Sequence, residues 1–268
     1  MRLVVLADNH TMIGPCLRGE PGVAFYMEDA GTKLLLDTGY SDIFLDNARK
    51  LGIDLSGLSV IAISHGHDDH VTGLPFLAEQ EDLSGVEVVA HPYAFCPKEK
   101  DGESIGSGIS AEELSGLCRL NLTDKPRKLS KNIWYLGQIP RVHPFENKAP
   151  TARYLYEGIW EDDRLLDDTA LAYQTSEGFY VITACSHSGI CNIIEHAKTI
   201  CGQEKVLGVI GGLHIFRCDA QLEQTIAYLE KQGPMELIPC HCVSFAAKAA
   251  IHARIPIREI GVGSEICW

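Results

Sequence analysis

The segment His65-Gly66-His67-Asp68-Asp69-His70 places four metal donors, His65, His67, Asp69 and His70, within six residues. Imidazole and carboxylate are the usual ligands of zinc, iron and manganese. His65 and His67 alternate, so an extended backbone can aim both in one direction. Asp69 and His70 come as the chain turns into a helix and can aim at a second position. Four donors in one loop are more than a single tetrahedral ion takes with good geometry. The segment therefore reads as part of a site for two divalent metal ions, zinc first, with Fe, Mn or Mg as alternatives. A solvated polar loop is the competing reading. It is disfavoured because the segment is fixed between the apolar run Leu58 to Ile63 and a helix opening at Gly73, with Pro75 near its first turn.

Three further places could do chemistry. His214 follows the apolar run Val206 to Ile210 and two glycines, Gly211-Gly212. Glycines let a backbone approach a ligand closely. A histidine beyond them can bind a phosphate or protonate a leaving group, or can simply be held by a backbone carbonyl. Arg141 is a second candidate for an anionic substrate group. Cys240-His241-Cys242 is the tightest cysteine spacing in a chain with ten cysteines and no Cys-x-x-Cys. In an extended segment the two thiols face away from His241, which argues against one ion bound by all three. An iron–sulfur cluster would want four thiolates at more usual spacing. The remaining cysteines read as reduced, small buried hydrophobes. His91 after a strand, and His196 and His252 on helices, read as structural. His10 follows the first strand with no second reason for a role.

The elements that must position these groups alternate regularly. Strands are expected at Arg2 to Ala7, Gly22 to Glu28, Thr32 to Leu36, Leu58 to Ile63 and Val86 to Ala90, with a hairpin turn at Glu28-Asp29-Ala30-Gly31 and a helix over Ser41 to Leu51. Pro97 to Leu129 turns polar and glycine-rich, with one helical stretch near Ala111 to Cys118, and reads as an excursion or lid. Its lysines and arginines, Lys98 among them, read as a solvated insert or as groups shaping an entrance. Ile133 to Leu136 is a strand, and Gln138 to Asp168 is irregular. The second half then runs strand (Thr169 to Thr175), strand (Phe179 to Ala184), helix (Ile190 to Ile200), strand (Val206 to Ile210), helix (Gln221 to Lys231), strand (Glu236 to Pro239), helix (Phe245 to His252). Both halves thus run as strand pairs followed by strand–helix alternation. This favours an α/β fold of four layers, αββα, in one domain over 1–268 with polar insertions near 97–129 and 138–168.

The chain has 268 residues and a formal net charge of -13. Such an acidic surface repels phosphate backbones, so nucleic acid is not expected as a partner. No apolar run reaches the roughly 18 residues needed to span a bilayer, and the N-terminal apolar run is too short for a signal core. The expectation is a cytoplasmic protein with a small-molecule substrate, no membrane association and an oligomeric state that the sequence leaves open.

His-x-His-x-Asp-His after a buried strand resembles the signature of the metallo-β-lactamase superfamily. Asp37 in Leu35-Leu36-Asp37-Thr38-Gly39 matches that family's early aspartate, which the resemblance implies orients the metal loop without binding metal. His241 in Ile238-Pro239-Cys240-His241 matches its last ligand. Cys185 in Thr183-Ala184-Cys185-Ser186-His187-Ser188-Gly189 stands where the bridging acid or cysteine is expected, and His187 two residues on is a further implied ligand. The third-motif histidine has no clear counterpart. His143 lies in about the right part of the chain in a different context, and Asp167 or Asp168 could substitute. Thr183 to Ile190, Gly211-Gly212-Leu213-His214, Pro239-Cys240-His241-Cys242 and Gln138-Ile139-Pro140-Arg141 resemble a branch that includes the dihydropterin-methyl ribofuranosylaminobenzene phosphate synthase of methanopterin synthesis.

The resemblance implies a metal-dependent hydrolase of a small ester, lactone or phosphoester working through a metal-bound hydroxide, with Asp69 orienting it and moving its proton and His214 acting on the substrate. The branch implies an alternative, a transferase joining a dihydropterin-methyl group to a ribofuranosylaminobenzene phosphate. A non-catalytic metal-containing binding protein is a third reading. Iron-based redox chemistry ranks low, because such relatives carry Glu in place of His67 and an added flavin domain.

Overall fold

The computed structural model describes residues 1–14, 16–146 and 149–268, so residues 147–148 of the stretch expected to be irregular lie outside the described residues. The chain divides into two compact units. The first comprises residues 1–124, 149–167 and 261–268; the second comprises 125–148 and 168–260.

The first unit is built on a seven-stranded sheet. It begins with the hairpin of Ala24–Asp29 and Thr32–Leu36, whose two-residue turn, Ala30-Gly31, has both φ angles positive (49° and 87°). That is the turn geometry whose twist matches the flanking strands. Thr32–Leu36 then pairs in parallel with Val60–Ala62, Val60–Ala62 with Glu87–Ala90, and Glu87–Ala90 with Arg119–Leu122. The other side of the hairpin pairs with Arg2–Ala7, which is flanked by Glu265–Cys267. The helices Ile43–Lys50 and Leu74–Gln80 bury their apolar faces (Phe44, Leu45, Ala48; Leu74, Leu77) in one core with Leu6, Leu35, Ile61, Ile63 and Val88.

Two expectations are corrected here. Arg119–Leu122 is not part of an insertion but the edge strand of the main sheet. Its residues are exposed or half-buried, as suits an edge, and so its pattern reads as polar. The stretch expected to be irregular contains a second hairpin, Arg153–Tyr156 with Ile159–Asp162, again through two positive-φ residues, Glu157 and Gly158. It pairs with Lys98–Lys100 to form part of a small four-stranded sheet.

The second unit holds a six-stranded sheet. Phe179–Thr183, Val206–Gly211 and Glu236–Pro239 are parallel neighbours, and Ala170–Gln174 and Ile133–Tyr135 extend the sheet in antiparallel fashion. Helices Ile190–Cys201, Ala220–Lys231 and Phe245–His252 supply Ile193, Ile194, Leu222, Ile226, Leu229 and Ile251 to its core. Each crossover between the parallel strands carries one helix, as parallel pairing requires. The first of these helices starts on a buried carboxylate. Glu146 accepts the N–H groups of Cys191 (2.9 Å) and Asn192 (2.8 Å), a negative charge at the positive end of the helix dipole.

Among the described residues no helix is long and apolar enough to cross a membrane.

Candidate metal centre

In each unit the chemistry-bearing residues leave the carboxyl ends of the parallel strands, where open α/β sheets place their ligand sites. Asp37 follows Thr32–Leu36, and the His65–His70 loop follows Val60–Ala62. In the second unit Cys185 to Ser188 follow Phe179–Thr183, His214 follows Val206–Gly211, and His241 follows Glu236–Pro239. Four non-glycine residues at these ends have left-handed φ: Asp37 (59°), Ser186 (56°), His214 (48°) and His241 (50°). Such backbone costs about 1–3 kcal/mol per residue and persists where surrounding contacts over-determine it.

The first unit shows what holds its loop. Asp37 is fully buried. Its Oδ1 accepts the N–H of Ser64 at 2.7 Å, and its Oδ2 accepts the Ser64 hydroxyl at 2.6 Å and the His70 Nδ1–H at 2.7 Å. Ser64 Oγ lies 2.9 Å from His65 Nδ1. A hydroxyl has one proton, and Ser64 gives its proton to Asp37, so Ser64 must accept from His65 Nδ1–H. One carboxylate therefore sets the tautomer of two histidines, directly for His70 and through Ser64 for His65. In the neutral form of either ring Nε2 is then the atom left to ligate, as carboxylate–histidine–metal arrangements require. An Asp37→Asn variant is expected to lose metal affinity about 10–100-fold, measured by competition with a chromophoric chelator, with little loss of secondary structure.

The donor atoms of His65, His67 and Asp69 lie within 4.8 Å of one another. His65 Nε2 is 3.2 Å from His67 Nδ1, and His70 Nε2 is 3.3 Å from Asp69 Oδ2. Burial pulls the His67 imidazole below its usual pKa, which keeps it neutral and able to ligate. Burial also disfavours charge on His70, but Asp69 and Asp37 outweigh it and hold His70 well above the usual range. A metal ion taking His70 must therefore displace a proton. Nitrogen and carboxylate donors of this kind fit zinc, iron or manganese.

Gly66 must be glycine: a Cβ there would stand 1.8 Å from the carbonyl oxygen of Ala94. Its N–H donates to Asp167 Oδ2 at 2.9 Å. Asp167 is in turn 3.2 Å from the ammonium of Lys98, which also lies 2.8 Å from Asp163. All three side chains are almost fully buried. Burial alone would lower the Lys98 pKa, but Asp167 and Asp163 raise it above its usual value. Burial pushes the Asp167 carboxyl up, yet Lys98, the Gly66 N–H and His67 bring it below the carboxylate range. Lys98 is therefore neither solvated nor at an entrance, which corrects both sequence readings of it. Nothing in its polar neighbourhood distinguished it from Lys100, which is exposed.

Asp168 has a similar task in the second unit. Its carboxylate accepts the N–H groups of His187 (3.0 Å) and Ser188 (2.8 Å) and the Ser188 hydroxyl (2.6 Å). Asp167 and Asp168 thus brace loops, each in its own unit. His143 packs its ring against Phe145 and Tyr228, with centroids 5.4 and 5.1 Å away. Cys185, His214 and Cys242 bring their donor atoms within 4.8 Å of one another. His241 is not part of this group, and its φ is positive (50°). His187 and His214 stand with ring centroids 4.1 Å apart. The glycines before His214 permit close backbone approach: a Cβ at Gly211 would be 1.8 Å from the Thr183 carbonyl, and one at Gly212 2.4 Å from Cys242 Sγ. His91 Nδ1 accepts the Tyr93 N–H, and His196 Nε2–H donates to the Leu136 carbonyl.

A model of the metallo-beta-lactamase superfamily matches residues 17–200. The chain belongs to the metallo-β-lactamase superfamily. Its fold class is the expected one, the α/β sandwich of that superfamily. A crystal structure of a metal-dependent hydrolase of the beta-lactamase superfamily is similar over 100% of this chain and 99% of that one, at 30% identity and a TM-score of 0.84. An uncharacterized protein of Methanocaldococcus jannaschii is 31% identical over 84% of this chain and 85% of its own length. From the same organism, 7,8-dihydropterin-6-methyl-4-(beta-D-ribofuranosyl)-aminobenzene-5'-phosphate synthase is 28% identical over 92% of this chain and 89% of its own length. The last is a member of the branch to which the motifs pointed.

Proposed function

We propose that the protein is a metal-dependent hydrolase that cleaves a small ester, lactone or phosphoester. The observation that carries this reading is the convergence of the His65, His67 and Asp69 donors in a loop whose histidine tautomers are set by one buried aspartate. His65, His67, Asp69 and His70 would hold divalent ions, and the family pattern adds Cys185, His187 and His241 to the ligand list. When bound, two ions would supply a water acidic enough to ionise near neutral pH and a counter-charge for the developing anion. Asp69 would take the proton that hydrolysis releases. His214 and Arg141 would bind an anionic substrate group. Zinc suits the nitrogen- and sulfur-bearing donor set, with Fe, Mn and Mg as the other readings. A phosphorylated small molecule rather than nucleic acid suits the net charge of -13.

The similarity to the Methanocaldococcus synthase favours a second reading, transfer of a dihydropterin-methyl group to a ribofuranosylaminobenzene phosphate. One experiment separates the two. The zinc- or manganese-loaded chain is incubated with a panel of small esters, lactones and phosphoesters, and separately with a dihydropterin diphosphate and the aminobenzene riboside phosphate. Turnover on the panel without a condensation product supports the hydrolase. A condensation product without ester turnover refutes it in favour of the transferase.

A further inference from the structure

We propose that Cys185, His214 and Cys242 together hold one of the two zinc ions in a thiolate-rich site whose three donors all belong to the second unit. The family pattern supplies Cys185 as a ligand and the sequence offered His214 for a role on the substrate; the structure brings both to Cys242. The three donor atoms lie within 4.8 Å of one another, and both sulfurs are buried, Cys185 at 3% exposure and Cys242 at 8%. They arrive from the ends of three adjacent parallel strands, so the scaffold beneath them is rigid. Two thiolates and one imidazole are a frequent catalytic zinc set, leaving a fourth position for water or another side chain.

The local backbone is shaped around this arrangement. The His214 N–H donates to Cys242 Sγ at 3.3 Å, so that sulfur already serves as an acceptor. Gly212 has no Cβ where one would stand 2.4 Å from the same sulfur. Ser186, next to Cys185, donates its hydroxyl to the Gly212 carbonyl at 2.8 Å and ties the first strand end to the second. Cys185 also stands on the ligand list of the hydrolase reading, so the inference rests on that reading for Cys185; the contribution of Cys242 is its own and is what the test isolates. Sulfur donors would also give the ion here a softer environment than the nitrogen and oxygen donors of the first unit, and so a different metal preference.

The test is zinc X-ray absorption on the full chain, purified under reducing conditions, stripped with chelator and reloaded with zinc alone. Expected is a sulfur shell at about 2.3 Å beside nitrogen or oxygen at about 2.0–2.1 Å. Its sulfur amplitude should fall about twofold in Cys242→Ser and vanish in the Cys185→Ser, Cys242→Ser double variant. His67→Ala should leave the sulfur shell in place, so that sulfur per zinc rises as the other ion is lost. An unchanged sulfur amplitude in Cys242→Ser overturns the proposal. So does a wild-type spectrum with nitrogen and oxygen alone, which needs no variant to fold. A Cys185–Cys242 disulfide found by mass spectrometry in the zinc-loaded protein overturns it as well.

Discussion

A Lys98→Met variant is expected to unfold with a stability lower by about 3–5 kcal/mol, because it leaves two buried carboxylates without their cation. Lys98 pairs with Asp163 at 2.8 Å and Asp167 at 3.2 Å, and neither its side chain nor theirs reaches solvent to any extent. Urea unfolding measures the loss. Adding Asp163→Asn to the Lys98→Met background should recover part of it, since one of the stranded charges is then gone. A loss below about 1 kcal/mol, within the range of exposed ion pairs, would show that the pair contributes no more than a surface contact. The effect should reach the His65–His70 loop as well. Asp167 holds the N–H of Gly66, and Gly66 lies between His65 and His67.

His67→Ala should lower hydrolytic turnover by about a hundredfold or more, which exceeds the usual cost of disturbing a residue that only orients a ligand. The same substitution should cost the metal-free fold little, within about 1 kcal/mol. His67 is half-buried at the start of the short helix Asp68–Val71 and makes no side-chain cap there. Large loss of turnover with an unchanged metal-free melt separates a ligand from a packing residue. Turnover within a few-fold of wild type would remove His67 from the chemistry.

The parts of the fold that were legible in sequence are those with local signals. The hairpin through Ala30-Gly31, the strand before His65 and the helix–strand alternation of the second unit all carry hydrophobic periodicity bounded by turn residues. Glu265–Cys267 carries none. It is three residues long and exists because it pairs with Arg2–Val4, more than two hundred and fifty residues away in sequence. Arg153–Tyr156 and Ile159–Asp162 alternate weakly and are largely exposed, so they read as loop. The His65–His70 loop stood out because histidines and a carboxylate at that spacing follow a buried strand, and Asp37 through the resemblance to the superfamily's early aspartate. The bracing roles did not. Lys98, Asp163, Asp167 and Asp168 are distant in sequence from what they hold, and a charged residue in a polar stretch gives no sign that tertiary contacts will bury it. The approach of Cys242 to Cys185 and His214 joins the ends of three strands, which no local spacing signals.

Elemental analysis of the chain, purified without chelator, beside its His67→Ala variant tests the central claim most directly. The account requires close to two equivalents of transition metal per wild-type chain and a sharp fall in the variant. Metal content unchanged by the substitution would contradict it.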